Sequence, residues 1–338
     1  MKYPEFIKKN DKIALVAPSF GCTFEPYSTR LNAAKKALKE KYNIECGPNV
    51  DKALAIGRSN TKEKCAEEIN AYFKDKDTKA LLSVGGGELM VEILPFLDFE
   101  EIKKNPKWFM GYSDNTNLTY LLTTICDIAS IYGPNAPSLG IEPKHQSIVD
   151  ALNILTGESL TIKSYEKWEK KENQKKADPL APMILTEDTN MVSFPEKNVS
   201  FKGRLLGGCL DCLLCFLGTE YDKTKEFIEK YHNDGIIWFI EACELNTLAI
   251  RRAFLQMDMA GWFKNVKGFI IGRPLSGMED CLGLNRFDAV KEVVEKYNVP
   301  IIFDVDLGHL SPSMPIVTGS IANVELKDNE LTIDMKFI

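Results

Sequence analysis

Between residues 12 and 124 the chain alternates short, largely apolar runs with longer amphipathic stretches, and no other feature of the sequence restricts the fold as much. The runs are IALVAP at 13–18, ALLSV at 80–84 and WFMGYS at 108–113. Between and after them, residues 28–42, 62–73, 88–97 and 117–124 read as helices, the first with Leu31, Ala34 and Leu38 on one face. A strand with no polar alternation must be covered on both faces. Strands of that kind separated by helices predict a parallel sheet sandwiched by helices. Ligands of such sheets bind beyond the carboxyl ends of the strands, so the strand-to-helix loops are where function is expected.

The alternation stops at a charged stretch, KSYEKWEKKENQKKAD at 163–178, followed by Pro179, Pro182 and polar residues to about Asn198. Length points the same way, since 338 residues carry a prior of two domains. The expected division is an α/β domain at 1–162, a charged linker or surface excursion at 163–200 that lines a cleft, and a second domain at 201–338. The basic run also carries Glu166, Glu169 and Glu172, so it reads as a solvated surface. Beyond it, 203–218 reads as a turn into a strongly apolar helix and 235–242 as a buried strand. A helix follows at 248–259, with strands at 268–272, 300–306 and 316–319. Residues 320–337 alternate apolar and polar around Lys327-Asp328-Asn329, a hairpin pattern. The second half is therefore mixed α/β or β-rich.

Composition narrows the functional classes. With 44% hydrophobic residues the chain can build a core, which excludes wholesale disorder. Its net charge of −6 argues against a general binder of nucleic-acid polymers or anionic membranes. Nine cysteines, an odd and sparse set, do not make a disulfide scaffold. Lys8, Lys9, Asp11 and Lys12 stand where a signal peptide needs its apolar segment, and no run approaches the length of a membrane span. A reduced, cytoplasmic protein is the expectation.

Two strand-to-helix loops carry candidate chemistry. In Gly111-Tyr112-Ser113-Asp114-Asn115-Thr116 a serine follows an apolar strand and precedes a helix. Its hydroxyl would project from the sheet's carboxyl edge, and the amide of Asp114 could donate to an oxyanion. Asn115 replaces the second glycine of G-x-S-x-G, and a helix N-cap is the plainer role for such a serine. In Ser83-Val84-Gly85-Gly86-Gly87 three glycines allow close backbone approach, as a phosphate cradle, as half of an oxyanion hole, or simply as a tight turn. No nucleotide fingerprint is present.

A serine nucleophile needs a base and an orienting acid. Of the three histidines, His145 lies in a charged turn and His232 at a helix end. Only His309, after the buried run at 301–308, has the location of an active-site group. Glu241 ends the apolar run beginning at Ile236, and a carboxylate there must meet water, a cation or a donor. Glu244 is the weaker acid candidate, and Arg251 or Arg252 would be structural partners for Glu241. Cys209, Cys212 and Cys215 have the spacing C-x2-C-x2-C but no suitable fourth ligand, so they read as core packing. No metal-ligand set is apparent.

Several separated segments together carry a family resemblance. VAPS at 16–19, SVGGGELMVEILPFLDFEEI from Ser83 and PKWFMGYSDNTNLTYLL from Pro106 are three of them. GGCLDCLLCFLGTEYD from Gly207, GIIWFIEACELNTLAIRRAFLQM from Gly235 and GHLSPSMPIVTG from Gly308 are the others. In order and over almost the whole chain, they resemble the LD-carboxypeptidase family of serine peptidases. The stretches 260–263 and 268–274 are most similar to its microcin C immunity branch. The resemblance implies a flavodoxin-like N-terminal α/β domain and a β-rich, swivel-like C-terminal α/β domain. It implies a Ser113-Glu241-His309 triad and an oxyanion hole from the amides of Asp114 and a residue at Gly85 or Gly86. A cytoplasmic homodimer without metal or cofactor is also implied. The substrate would be a small peptide or peptidyl-nucleotide, either an aminoacyl or peptidyl adenylate or an L,D-linked muropeptide. A catalytically silent binding protein of the same fold is the reading from another class. Trp168 is the one tryptophan of the intervening stretch and a candidate substrate contact, and Met191 falls where immunity-type relatives carry another. Cys209 replaces the asparagine common after the paired glycines.

Overall fold

The computed structural model describes residues 1–54, 56–174 and 177–338. Two compact units emerge. One comprises Met1–Ser159 with 177–183, and the other Leu160–Gln174 with Ile184–Ile338.

The first unit contains β1 (Lys12–Val16), α1 (Tyr27–Lys39), β2 (Asn43–Cys46), α2 (Lys62–Lys74) and β3 (Thr78–Ser83). It continues with α3 (Phe99–Lys104), β4 (Trp108–Gly111), α4 (Thr116–Thr124), β5 (Ser130–Tyr132) and α5 (Gln146–Thr156). The strands pair in parallel in the order β2-β1-β3-β4-β5. That is the doubly wound, flavodoxin-like order, whose crevice opens where the connections leave β1 and β3 in opposite directions. Burial follows the expected pattern, with every residue of β4 buried and Leu31, Ala34 and Leu38 of α1 facing inward. Side chains set the helix starts. Thr61 accepts from the Lys64 amide at α2, and Asp98 from the Glu101 amide at α3. The stretch at 88–97 departs from expectation. It forms a 3-10 helix, Met90–Phe96, containing Pro95, which has no N–H to continue an α-helical ladder.

The second unit contains β6 (Thr161–Lys163), β7 (Lys167–Trp168), β8 (Glu187–Asp188), β9 (Val192–Phe194), β10 (Val199–Cys209) and α6 (Leu210–Leu213). After α7 (Thr224–Lys230) come β11 (Ile236–Glu241), α8 (Thr247–Met259), β12 (Val266–Gly272), α9 (Arg286–Val294) and β13 (Ile301–Val305). The chain ends with β14 (Ile316–Thr318), β15 (Ile321–Lys327) and β16 (Glu330–Lys336). The large sheet runs β6-β16-β15-β10-β11-β12-β13-β9. Its centre, β10 to β13, is parallel and its flanks are antiparallel. The terminal hairpin turns through Asp328 and Asn329, both at positive φ, as its sequence requires.

Two expectations are corrected. Residues 203–209 are strand and not a turn into a long helix, because β10 extends to Cys209 and helix α6 is only four residues long. The paired glycines favour this: at Gly207 a Cβ would lie 1.7 Å from the Phe239 carbonyl oxygen, so only glycine admits that inter-strand approach. The charged stretch is also not wholly solvated, since Tyr165 and Glu169 are buried. The Glu169 carboxylate accepts from the Ile184 amide, and the Tyr165 amide donates to Asp306. A carboxylate spent on a backbone amide looks identical, in composition, to one facing water. Among the described residues no helix is long and apolar enough to cross a membrane.

Candidate active site

Ser113 lies two residues after the end of β4 and opens a short 3-10 turn into α4. Its φ is +64°, in the left-handed region that non-glycine residues enter at a cost of about 1–2 kcal/mol. The surrounding contacts hold this turn. The Ser113 amide donates to Tyr132 Oη at 3.1 Å. Fully buried Asn115 donates through Nδ2 to the carbonyls of Tyr112 and Gly85 and to Asn135 Oδ1. The Asn115 side chain occupies the space beside Gly111, where a Cβ would come within 2.8 Å of it. Here the asparagine, in place of a second glycine, ties the serine turn to the glycine loop. Ser113 is not the N-cap of α4. That position is Asn115, with no side-chain cap.

Asp114 contributes a second tie. Its buried carboxylate accepts from Ser19 Oγ, from the Met90 amide at 2.9 Å and from Asn117 Nδ2 at 2.9 Å. The loops after β1, β3 and β4 thus converge on one carboxylate at the sheet's carboxyl edge. Gly86 lies against the serine: a Cβ there would be 3.1 Å from Ser113 Cβ and 3.2 Å from its Oγ. Gly86 also accepts from the Phe20 amide, and Gly85 from Ser83 Oγ.

In the second unit the structure brings Glu241 and His309 together. Glu241 ends β11 with its side chain fully buried, and its Oε2 is 2.9 Å from His309 Nδ1. His309 sits in the loop after β13, and its backbone oxygen accepts from Gln174 Nε2 at 2.7 Å. Gly308, at φ +109°, makes the approach possible, since a Cβ there would stand 2.6 Å from Glu241 Oε2. With Nδ1 engaged by the carboxylate, Nε2 is the ring nitrogen through which such an imidazole can exchange a proton.

The remaining candidates have other roles. Arg251 binds Glu292 and the Asp288 carbonyl, not Glu241, and Glu244 is exposed. His145 caps α5 through Ser147, and His232 is exposed and bonded to the Glu229 carbonyl. Trp168 is half-buried, with its ring over the guanidinium of Arg273, 5.1 Å from carbon to centroid. Arg273 in turn pairs with buried Asp306 and donates to the Asp304 carbonyl. Half-buried Met191 donates its amide to Asn329 Oδ1. The packing reading of the cysteine cluster holds only for Cys209, which is buried, whereas Cys212 is half-buried and Cys215 exposed. No group of three or more metal-ligating side chains is assembled among the described residues.

Reasoning from sequence missed the Asp114 carboxylate, Asn115, Asn135 and Tyr132 as parts of the serine turn, and the Arg273–Asp306 pair. A signal was present in each case: polar residues at or just beyond the carboxyl ends of buried strands. Nothing in the spacing says which of them meet.

Comparison with known proteins finds a match in each half of the chain. The LD-carboxypeptidase N-terminal domain matches residues 13–133, and the LD-carboxypeptidase C-terminal domain matches residues 202–324. The microcin C7 self-immunity protein MccF of Escherichia coli is 28% identical over 293 residues, covering 83% of this chain and 81% of that protein. A probable murein peptide carboxypeptidase of Bacillus subtilis (strain 168) is 24% identical over 339 residues, 98% of this chain and 94% of the relative. In three dimensions the chain superposes on MccF solved in complex with aspartyl sulfamoyl adenosine, with a TM-score of 0.81 at 24% identity over the whole of both chains. Matched through both of its halves, in order, the chain belongs to the LD-carboxypeptidase family and is a serine-type peptidase hydrolase.

Proposed function

We propose that this hydrolase works through Ser113 as nucleophile, His309 as general base and acid, and Glu241 as the acid that orients the imidazole. The contact that carries the reading is His309 Nδ1 to Glu241 Oε2 at 2.9 Å. A buried carboxylate on Nδ1 fixes the tautomer, presents Nε2 and stabilises the imidazolium that forms when the serine proton is taken. The serine oxygen adds to a carboxamide carbonyl, the amides of Asp114 and Gly86 receive the oxyanion, and His309 returns the proton to the leaving nitrogen. Water releases the acyl group by the same steps in reverse. The positive φ of Ser113 and its contact with Gly86 support these assignments.

The favoured substrate is an aminoacyl or peptidyl group amide-linked to an adenylate. Support comes from the relative named for microcin C7 self-immunity and from the similar fold that holds aspartyl sulfamoyl adenosine. The second reading, release of the terminal D-residue from an L,D-linked murein peptide, is favoured by the murein peptide carboxypeptidase that the chain matches over nearly its full length. Turnover of an aminoacyl sulfamoyl adenosine and of a murein tetrapeptide, measured side by side, separates them. The first reading expects the nucleoside conjugate to have the larger kcat/KM, and the reverse order overturns it. We also place the enzyme in the cytoplasm as a homodimer, in keeping with its nine free cysteines and its family.

A further inference from the structure

Cys209 and Cys212 lie at a point of the second unit that the hydrolytic reading leaves unused. Cys209 is the last residue of β10 and the N-cap of α6, and Cys212 is the third residue of that helix. β10 and β11 are parallel and joined through helices, so the C-x2-C lies at the strand-to-helix turn of a βαβ unit. That is the setting in which such a pair works as a redox couple in other folds. N-cap and N3 side chains turn toward each other, the geometry a capping box exploits. Here Cys212 is close enough to the Cys209 thiol to be the first cause of its raised pKa. Residues three apart in a helical turn also have Cα atoms within the span a disulfide tolerates.

The pair is asymmetric. Cys209 is buried, and its thiol is raised well above the usual range, first by Cys212, then by burial and the nearby Glu241. Cys212 is half-buried and therefore open to a small oxidant. The pair also touches a hinge of carboxylate contacts. Cys209 Sγ is 3.4 Å from Asp211 Oδ2, and the Asp211 carboxylate accepts from the amides of Cys243 and Glu244, at 2.9 Å each. Those amides belong to the loop that leaves β11 just after Glu241, and the Cys209 backbone is the register partner of Glu241.

From this juxtaposition we infer that Cys209 and Cys212 form a reversible dithiol–disulfide couple, oxidised by hydrogen peroxide and reduced again by a dithiol. The Cys212 thiolate attacks the peroxide oxygen, giving a sulfenic acid and, with one proton, water. The Cys209 sulfur then displaces the hydroxyl from the sulfenic sulfur, forming the S–S bond and releasing a second water. Two thiols and one peroxide thus become one disulfide and two waters. The oxidised pair no longer offers the Cys209 S–H to Asp211, so the disulfide reports to the loop after Glu241.

The test uses the full chain, treated with hydrogen peroxide, alkylated under denaturing conditions and mapped by mass spectrometry. The expected result is loss of two hydrogen masses in the peptide carrying residues 209–215, with the 209–212 bond found on fragmentation and dithiothreitol restoring both thiols. The loss should vanish in Cys212→Ser and persist in Cys215→Ser. Recovery of Cys209 and Cys212 as separately alkylated or over-oxidised thiols in the wild-type chain overturns the inference. So does a disulfide joining Cys212 to Cys215 or Cys243. Neither outcome depends on whether the protein hydrolyses either proposed substrate.

Discussion

Gly308 shows how narrowly the acid–base pair is built. A methyl group at that position would sit 2.6 Å from Glu241 Oε2, on a backbone whose φ of +109° only glycine adopts without strain. Gly308→Ala should therefore lower kcat at least tenfold and destabilise the fold by about 1–2 kcal/mol. Steady-state kinetics and denaturant melts check both, and an unchanged kcat would show that the His309–Glu241 contact is dispensable. Glu241→Gln keeps the shape but loses the charge, and on the proposed mechanism it costs about 10³–10⁴ in kcat. Asn115→Ala acts differently. Three acceptors lose their donor in a buried site, so about 1–3 kcal/mol of stability should go. If the loop relaxes, kcat should fall with little change in KM. At this scale the sequence was most legible where chemistry forbids a neutral explanation: Glu241 at the end of an apolar strand had to have a partner. It was least legible for Asp114. A side chain beside a candidate serine gives no sign that it clamps the loops after β1 and β3.

Among the elements, the apolar strands of the first unit were readable because burial on both faces leaves no alternation to confuse with a helix. β10 was misread for the complementary reason. Its last residues, LLGGC, have no polar period, and the leucines and cysteines beyond them suit a helix equally well. Tertiary pairing with Phe239 and its neighbours, which the sequence does not display, decided in favour of strand. The ends of the elements carry a testable electrostatic lock. Asp75, the C-cap of α2, accepts from Thr78 Oγ1 and pairs with Lys12, joining the starts of β3 and β1. The Thr78 and Lys12 contacts hold its carboxyl down at about 2, below its usual 3.8. A carboxyl lowered in the fold stabilises above its unfolded value and loses that contribution as pH falls through the folded one. The stability advantage of wild type over Asp75→Asn should thus be constant above about pH 5 and vanish toward pH 2. Partial exposure and solvent screening hold it to about 1 kcal/mol. Urea midpoints across that range measure it, and a gap independent of pH would contradict the assignment.

For the molecule as a whole, the two-unit division and the family's two matched domains agree on where the candidate groups lie. Ser113 and its loops belong to the first unit, Glu241 and His309 to the second. Length and the charged stretch announced a division. They did not show that residues up to 174 build into the second unit while 177–183 pack with the first. Such an exchange depends on contacts such as Arg30 Nε to the Pro179 carbonyl, which no local pattern encodes. The homodimer proposal predicts a light-scattering mass of twice the 38.1 kDa chain, and a monomer mass at micromolar concentration would contradict it.

The proposed mechanism stands or falls on Ser113 being a nucleophile activated by the His309–Glu241 pair. Reaction of the full chain with a serine-directed fluorophosphonate, read by peptide mapping, tests it most directly. A single adduct on Ser113 is expected, absent in Ser113→Ala and slowed at least a hundredfold in His309→Ala. Labelling that is undiminished in Ser113→Ala, or that proceeds at the wild-type rate without His309, would contradict it.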